Sequence, residues 1–320
     1  MSKAFSFERI NYSLRPNKSA ERKIIIETLS NLKSAYDIAG YRYIGFGSLW
    51  FTDLVLAHKL LGIDHLISIE RASSKKKRIE FNKPLGCIEI VMGSSTEQLE
   101  KIVDDEKKTL TWLDYDGDLI STINSGDIEI FCEKAAAGSI LIITVNADTN
   151  SLKYKKEGEK ELTETEYLER NLMHDLPKDF KRYISRSEFP KLAANIVFRS
   201  IESSLITSDR NLEFKPLWNI KYSDNANMVT VGGVIDAKEE LDRLEDIPFL
   251  KNPPDYISLG KQQFGLNLPI LTMKEKMHLD SLLPSETTLS PADLDFELKA
   301  KELDAYSSLY KFFPTFSEIT

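Results

Sequence analysis

Cysteine is nearly absent: of 320 residues only Cys87 and Cys132 carry a thiol. Two cysteines build neither a disulfide framework nor a four-thiolate zinc site. Histidine is almost as scarce, and His58, His65, His174 and His278 lack the HExxH spacing of a hydrolytic zinc helix. No uncharged apolar run approaches the roughly 18 residues that a membrane helix needs. The opening MSKAFSFERINY has no apolar stretch resembling a secretory signal. A cytoplasmic, reducing setting with no membrane partner is therefore expected. An excess of positive charge is also missing. Fifty acidic side chains face 42 basic ones, for a net charge of −8, which argues against indiscriminate nucleic-acid binding but leaves room for a local basic patch. What is present is an ordinary globular composition, 42% apolar and 29% charged, in a chain long enough to bury a substantial core.

Residues 19–39 place Ile24, Ile25, Leu29, Leu32 and Tyr36 at helical spacing, with Ser19 as N-cap and Gly40 as the stop. An alternation follows. YRYIGF (41–46), HLISIE (65–70), CIEIVMG (87–93), LTWLDYD (110–116) and SILIITVNA (139–147) read as strands. FTDLVLAHKLLG (51–62), SSKKKRIEFNK (73–83), a stretch near 95–104 and one through about 124–137 read as helices. Strands alternating with helices predict an α/β, doubly wound, mainly parallel Rossmann-like sheet. After Asn150 comes a charged surface segment or insertion, then an amphipathic helix over 189–206. FKPLWNIKYSD and MVTVGGVID, joined through Asn225-Ala226-Asn227, predict a terminal antiparallel hairpin over 214–236. Beyond Lys238 the chain reads as helical, broken at Pro253-Pro254, with a last helix near 296–312. The expected partition is an N-terminal segment and helix (1–40) packing on the core, a Rossmann-like domain (41–236) with a helical insertion near 151–213, and a helical C-terminal extension (237–320).

Ligands of an open parallel sheet bind beyond the carboxyl ends of its strands, at the switch point. The expected strands bring Gly45, Phe46, Gly47 and Ser48 there, with Glu70 and Arg71, Ser94 and Ser95, and Asp114, Tyr115 and Asp116. Glycines allow a ligand close to the backbone. An acid ending the second strand can accept both hydroxyl hydrogens of a ribose, so a nucleoside-containing cofactor accounts for both features. A dinucleotide site wants GxGxxG running into a helix. Here GFGSLW puts Trp50 in the third glycine's position, where its bulk is expected to obstruct helix–strand packing. That disfavours an NAD enzyme. S-adenosylmethionine, which has no pyrophosphate, fits better.

At these residues the sequence resembles the class I S-adenosylmethionine-dependent methyltransferases, over residues 20–150 and the 214–236 hairpin. RPNKSAERK, YIGFGS, ISIE, FNKP and WLDYD are also similar to a group of bacterial proteins described only as O-methyltransferases, some of which accompany mobile-element or phage-defence genes. The resemblance implies that Gly45, Phe46, Gly47, Ser48, Glu70, Arg71, Ser94, Ser95 and Asp114 line the cofactor. It also implies that Asp114, Asp116 and Tyr115 carry alignment or proton abstraction. Arg15, Lys18 and Arg22 are expected to fold over the pocket toward an acceptor. Two departures stand out. The usual ExGxGxG is reduced to GFG with Tyr43 where the acid often stands, and Ser94-Ser95 replace the acid that often meets the adenine edge.

Each residue also has a plainer reading. The glycines could form a tight turn, and Asp114 or Asp116 could cap a helix. Arg15, Lys18, Arg22 and Lys23 at a helix start oppose its dipole and call for compensating charge, from an anionic substrate or from Asp114 and Asp116. Lys75, Lys76, Lys77 and Arg78 read as a solvated helix face or, with Lys181, Arg182 and Arg186, as a phosphate contact. No interleaved aromatics support single-strand binding. His58, Cys87 and Cys132 read as packed, and no metal is expected. The leading expectation is S-adenosylmethionine-dependent methyl transfer, to oxygen, with the acceptor unread and a homodimer compatible. The alternatives are a Rossmann-like module that binds a nucleotide or S-adenosylmethionine without turnover, and a nucleic-acid-associated component of a bacterial defence system.

Overall fold

The computed structural model describes residues 15–152, 156–157, 160–178, 180, 184–254 and 256–315. It opens on α1 (Pro16–Asn31), followed by β1 (Arg42–Gly45) and α2 (Thr52–Leu56), which runs on into a π turn (Ala57–Leu61). Then come β2 (His65–Glu70), α3 (Lys76–Asn82), β3 (Ile88–Met92), α4 (Ser95–Ile102), β4 (Thr109–Asp118), α5 (Leu119–Ile123), α6 (Asp127–Lys134) and β5 (Ser139–Asn146). A small ladder of β6 (Lys156–Glu157) and β7 (Lys160–Glu161) precedes α7 (Glu164–Leu172) and the long α8 (Phe189–Ser208). The hairpin β8 (Glu213–Ser223) and β9 (Asn227–Asp236) leads to α9 (Lys238–Arg243), α10 (Pro248–Lys251), β10 (Phe264–Gly265), α11 (Met273–Ser281) and α12 (Ala300–Leu309).

Eight strands form one sheet in the order β10-β8-β9-β5-β4-β1-β2-β3. All neighbours are parallel except β9, which runs antiparallel to both β5 and β8. The chain winds outward from β1 through β2 to β3, then returns to place β4 on the other side of β1. The switch point therefore lies between β1 and β4, the expected place for a ligand. Both faces of the sheet are covered. Ile140 and Ile142 of β5 join one apolar cluster with Ile24, Leu54 and Trp218, while Leu141, Ile143 and Val145 join the other with Phe131, Ile196 and Phe198. Burial on both faces is why this strand reads as a continuous apolar run instead of an alternation.

The N-terminal helix differs from its sequence reading. It starts at Pro16, not Ser19, because proline is well suited to the first helical position, where no amide partner is needed. It ends at Asn31, and residues 32–40 fold into two short 3-10 turns (Leu32–Ser34 and Ile38–Gly40). No side chain at the N-cap position closes the helix. The cap instead comes from Asp224, in the turn between β8 and β9. Its Oδ1 accepts the Asn17 amide at 3.0 Å and its Oδ2 the Lys18 amide at 3.1 Å. Arg15 lies 3.6 Å from the same carboxylate. The Asn17 side chain fastens this corner, donating to the Ser223 carbonyl at 3.0 Å and accepting the Leu268 amide at 2.8 Å. The anion that this basic helix start calls for is thus supplied by the protein itself.

Other departures are smaller. β4 runs on to Asp118, which caps α5 by accepting the Ser121 amide. Gly126, at φ 84°, separates α5 from α6. Cys87 precedes β3 and is half-buried instead of sitting inside the strand, whereas Cys132 is buried on α6. The C-terminal extension is not wholly helical, since β10 adds to the sheet edge beside β8. Lys181 and Arg182 lie outside the described residues, and Arg186 pairs with Asp148 at 2.8 Å. Among the described residues no helix is long and apolar enough to cross a membrane.

Removing the Asp224 cap should cost about 1–2 kcal/mol. Urea unfolding of Asp224→Ala is expected to show this loss, and Asp224→Asn, which still offers an acceptor, should recover most of it.

Candidate functional site

The glycine loop leaving β1 is built by close packing. A Cβ on Gly47 would lie 2.5 Å from both the Phe51 ring and Ser68 Oγ, and one on Gly45 would lie 2.9 Å from the Tyr43 ring. The Gly47 carbonyl accepts the Phe51 amide at 2.7 Å, and Ser48 and Phe51 adopt left-handed φ values of 52° and 49°. Phe51, fully buried, fills the space between helix and strand, while Trp50 turns outward at 38% exposure. The expectation that Trp50 obstructs helix–strand packing is therefore corrected: the residue after it does the packing, and the left-handed turn at Phe51 accompanies that exchange.

Glu70, ending β2, is knitted to this loop. Its Oε1 accepts the Ser48 amide at 2.7 Å and the Ser68 hydroxyl at 2.7 Å, while Ser68 Oγ accepts the Gly47 amide at 2.9 Å. Among the described residues no hydrogen bond is formed at Oε2, and the Gly47 amide adds its own pull on the carboxyl. Glu70 is only 5% exposed, and that burial pushes its carboxyl up to about 7 against the downward pull of the Ser68 and Ser48 bonds. Ser68 was not singled out in the sequence. Its signal was a hydroxyl two residues before the acid, hence on the same face of a buried strand.

Where the regular pairing of β4 with β5 ends, Asp114 meets α1. Lys18 Nζ, with its side chain wholly buried, lies 3.2 Å from Asp114 Oδ2 and 2.8 Å from Glu21 Oε2, and donates to Thr144 Oγ1 at 3.4 Å. The rings of Trp112 and Tyr222 flank it at 4.9 and 5.5 Å. Thr144 also takes the Trp112 indole N–H at 3.1 Å and contacts Thr230 at 2.8 Å, and Thr230 bonds in turn to Glu21. Arg22, one turn on, pairs with Asp53 of α2. Burial drives the Glu21 carboxyl upward despite Lys18. Burial also opposes ionisation of Asp114, yet Lys18 and Arg22 outweigh it and hold this carboxyl below its usual value. The contacts of Lys18 and Arg22 are thus with the protein's own acids, and Arg15 faces Asp224. Glu21, Asp53, Thr144, Tyr222 and Thr230 were missed in the sequence; the hint was that Lys18, Glu21 and Arg22 share a helix face with Ile25.

Tyr115 points to the other side of β4. Its hydroxyl bonds to the buried Asp127, which also accepts Thr96 Oγ1 at 2.6 Å. Burial first, then the neighbouring carboxylate, raises the phenol far above its ordinary value. Its ring packs edge-on against Phe46 with centroids 5.4 Å apart. Ser94 spends its hydroxyl capping α4 in a reciprocal box with Glu97, and Ser95 is half-buried beside it. Asp116 and Arg71 are exposed, and among the described residues their side chains make no hydrogen bond or ion pair. The carboxyl ends of the strands thus carry Gly45, Phe46, Gly47, Ser48, Glu70 and Asp114, with Lys18 and Arg22 on the α1 side of β4 and Tyr115 on the other, while Asp116 and Arg71 stand in solvent.

The model of a family described as "Putative O-methyltransferase" matches residues 10–320. No curated protein matches the sequence. Solved structures with a similar fold include one described as "a putative O-methyltransferase" from Klebsiella pneumoniae, at 11% identity over 71% of this chain and 84% of that one, with a TM-score of 0.40. Another is Trm1 from Pyrococcus horikoshii in complex with S-adenosyl-L-methionine, at 11% identity over 71% of this chain and 57% of that one, with a TM-score of 0.45. At these scores the likenesses carry no information about chemistry.

Two stability measurements probe the geometry. Lys18→Met leaves Glu21 and Asp114 facing each other without the ammonium, and urea unfolding should show a loss of about 3–5 kcal/mol. For Glu70 the sign is opposite. Its folded carboxyl titrates near 7 against 4.5 for the ordinary group, so the folded state holds an extra proton between those values and loses stability as pH rises through them. Glu70→Gln keeps the acceptor without the charge. It should raise the unfolding temperature at about pH 8, by at most ~3 kcal/mol of stability, and change it little near pH 4.5.

Proposed function

The chain belongs to this O-methyltransferase family, and we propose that it takes its methyl group from S-adenosylmethionine, held across the carboxyl ends of β1, β2 and β4. The observation that carries the cofactor reading is Glu70. Its Oε1 is committed to the glycine loop through Ser48 and Ser68, while Oε2, at the carboxyl end of β2, takes no hydrogen bond among the described residues. A carboxylate locked in place with one oxygen free suits the hydroxyls of a ribose. Phe46 and Tyr115, packed edge to face, supply an apolar wall beside it, and the half-buried Ser95 lies at the next strand end.

When bound, S-adenosylmethionine supplies a methyl group on a sulfonium, open to in-line displacement by an oxygen nucleophile. The chain's own residues supply position more than acid–base chemistry. Asp114, kept ionised by Lys18 and Arg22, is a poor proton acceptor near neutrality, since an effective base has a pKa close to the working pH. Its role in this reading is to orient a donor group of the cofactor or acceptor through its outward lone pairs. Lys18 and Arg22 fix that carboxylate and do not themselves reach substrate. Asp116, exposed beyond Asp114, is free to face an acceptor. We place the protein in a reducing cytosol, a reading supported by two thiols that are not bridged.

Calorimetric titration with S-adenosylhomocysteine tests this. Binding is expected, at least tenfold weaker in Glu70→Ala. Because the ribose prefers the ionised carboxylate, affinity should rise with pH up to about 7 and then level, falling up to about tenfold per unit on the acid side. Glu70→Gln should bind weakly with a flat profile. A folded protein that binds no adenosyl ligand, or a Glu70→Ala variant that binds as the parent does, overturns the reading.

A further inference from the structure

At the opposite end of the same strands three donor side chains of different chemistry converge. His58 lies in the π turn that ends α2, a local widening of the helix that recurs at functional positions. Gly62, at φ 81°, then reverses the chain. The reversal brings Asp64, the residue before β2, back beside the imidazole, with its Oδ1 3.1 Å from His58 Nδ1. Cys87, the residue before β3, approaches from the neighbouring strand with its Sγ 3.8 Å from the same nitrogen. The three ligand atoms all lie within 4.8 Å of one another.

We propose that His58, Asp64 and Cys87 form a binding site for a single Zn²⁺ ion at the amino-terminal edge of the sheet. The donor set selects the metal. A thiolate and an imidazole discriminate against Mg²⁺ and Ca²⁺, which take oxygen, and suit zinc, which accepts nitrogen, sulfur and carboxylate oxygen together. The spacing agrees. Zinc bonds of about 2.0–2.1 Å to nitrogen and 2.3 Å to sulfur at a tetrahedral angle put those two ligands about 3.5 Å apart, against 3.8 Å here. Three protein ligands leave one position for water, and the site is open to it, since the Asp64 side chain is 83% exposed and that of His58 32%.

Binding asks two small changes of the protein. His58 Nδ1 lies 3.0 Å from the Ile63 carbonyl, so its proton must move to Nε2 to free the nitrogen lone pair. Cys87 must give its thiol proton to solvent and bind as thiolate. The ion would tie the end of α2, the start of β2 and the start of β3 together. That places it roughly 20 Å, the length of a six-residue strand, from the carboxyl-end site. Its role is structural, stabilising the fold in proportion to its binding, and it does not depend on the methyl-transfer reading.

Titration of the tag-free full chain with Zn²⁺ against a competing chelator tests the site, with Co²⁺ as the optical probe. One equivalent should bind, and the unfolding temperature should rise with added zinc. Affinity should fall at least tenfold in Cys87→Ser, His58→Ala and Asp64→Ala. The Co²⁺ form should show a sulfur-to-metal charge-transfer band that Cys87→Ser abolishes. Asp64, exposed at the surface, can be replaced without unfolding the chain, so loss of binding in that variant is not loss of fold. No binding, binding indifferent to Asp64→Ala and Cys87→Ser, or a Co²⁺ spectrum without the thiolate band overturns the proposal.

Discussion

A single ammonium, that of Lys18, joins the N-terminal helix to the carboxyl end of the sheet. It is fully buried, and a buried charge is tolerated only when its partners are in place. Those partners come from three elements: Glu21 on α1 itself, Asp114 on β4 and Thr144 on β5, with the rings of Trp112 and Tyr222 on either side. The helix cannot slide along the sheet without stranding the charge. The position of α1 fixes Arg22 against Asp53, and with it the start of α2 below the glycine loop. The geometry of the whole candidate site thus descends from one long side chain pointing inward.

That arrangement suits a reaction whose demands are mainly geometric. A displacement at carbon requires that nucleophile, methyl and leaving group lie in line, and little else from the protein when the leaving group is a good one. A network of opposite charges in a low-dielectric setting is stiff, because any displacement loses attraction that water cannot restore. Asp114 is held in such a network, whereas Asp116, two residues on, stands in solvent. The same short motif therefore offers one fixed carboxylate and one adaptable one. The division between a carboxylate held in a charged network and one standing in solvent is drawn within WLDYD itself.

The alternation of strands and helices was legible because each strand carries an unbroken apolar or alternating run closed by glycine or an acid, and the reversed β9 announced itself through a hairpin turn. The positions of Glu70 and Asp114 followed from the rule that ligands gather at strand ends. The rest depended on contacts between residues far apart in sequence. The cap of α1 is Asp224, some 206 or 207 residues away, and nothing local to RPNKSAERK indicates it. Trp50 and Phe51 both look able to fill a core, and only the left-handed turn decides which does. The two-residue β10 is too short to leave a pattern. The cluster at His58 was hidden because its members sit in a helix end, a turn and a loop, each unremarkable alone.

The capping of α1 also sets an order of events during synthesis. The helix is made long before the β8–β9 hairpin, which holds the carboxylate that closes it and the threonine that anchors Glu21. Until that hairpin emerges, the first amides of the helix and Arg15 lack the Asp224 carboxylate, and Glu21 lacks the Thr230 hydroxyl. The pocket floor is consequently completed late, after the five strands that frame it have been made. A helix that waits for strands made about 200 residues later carries a high contact order at the functional end, so the nascent chain passes through a stage in which the sheet can pair before α1 is closed.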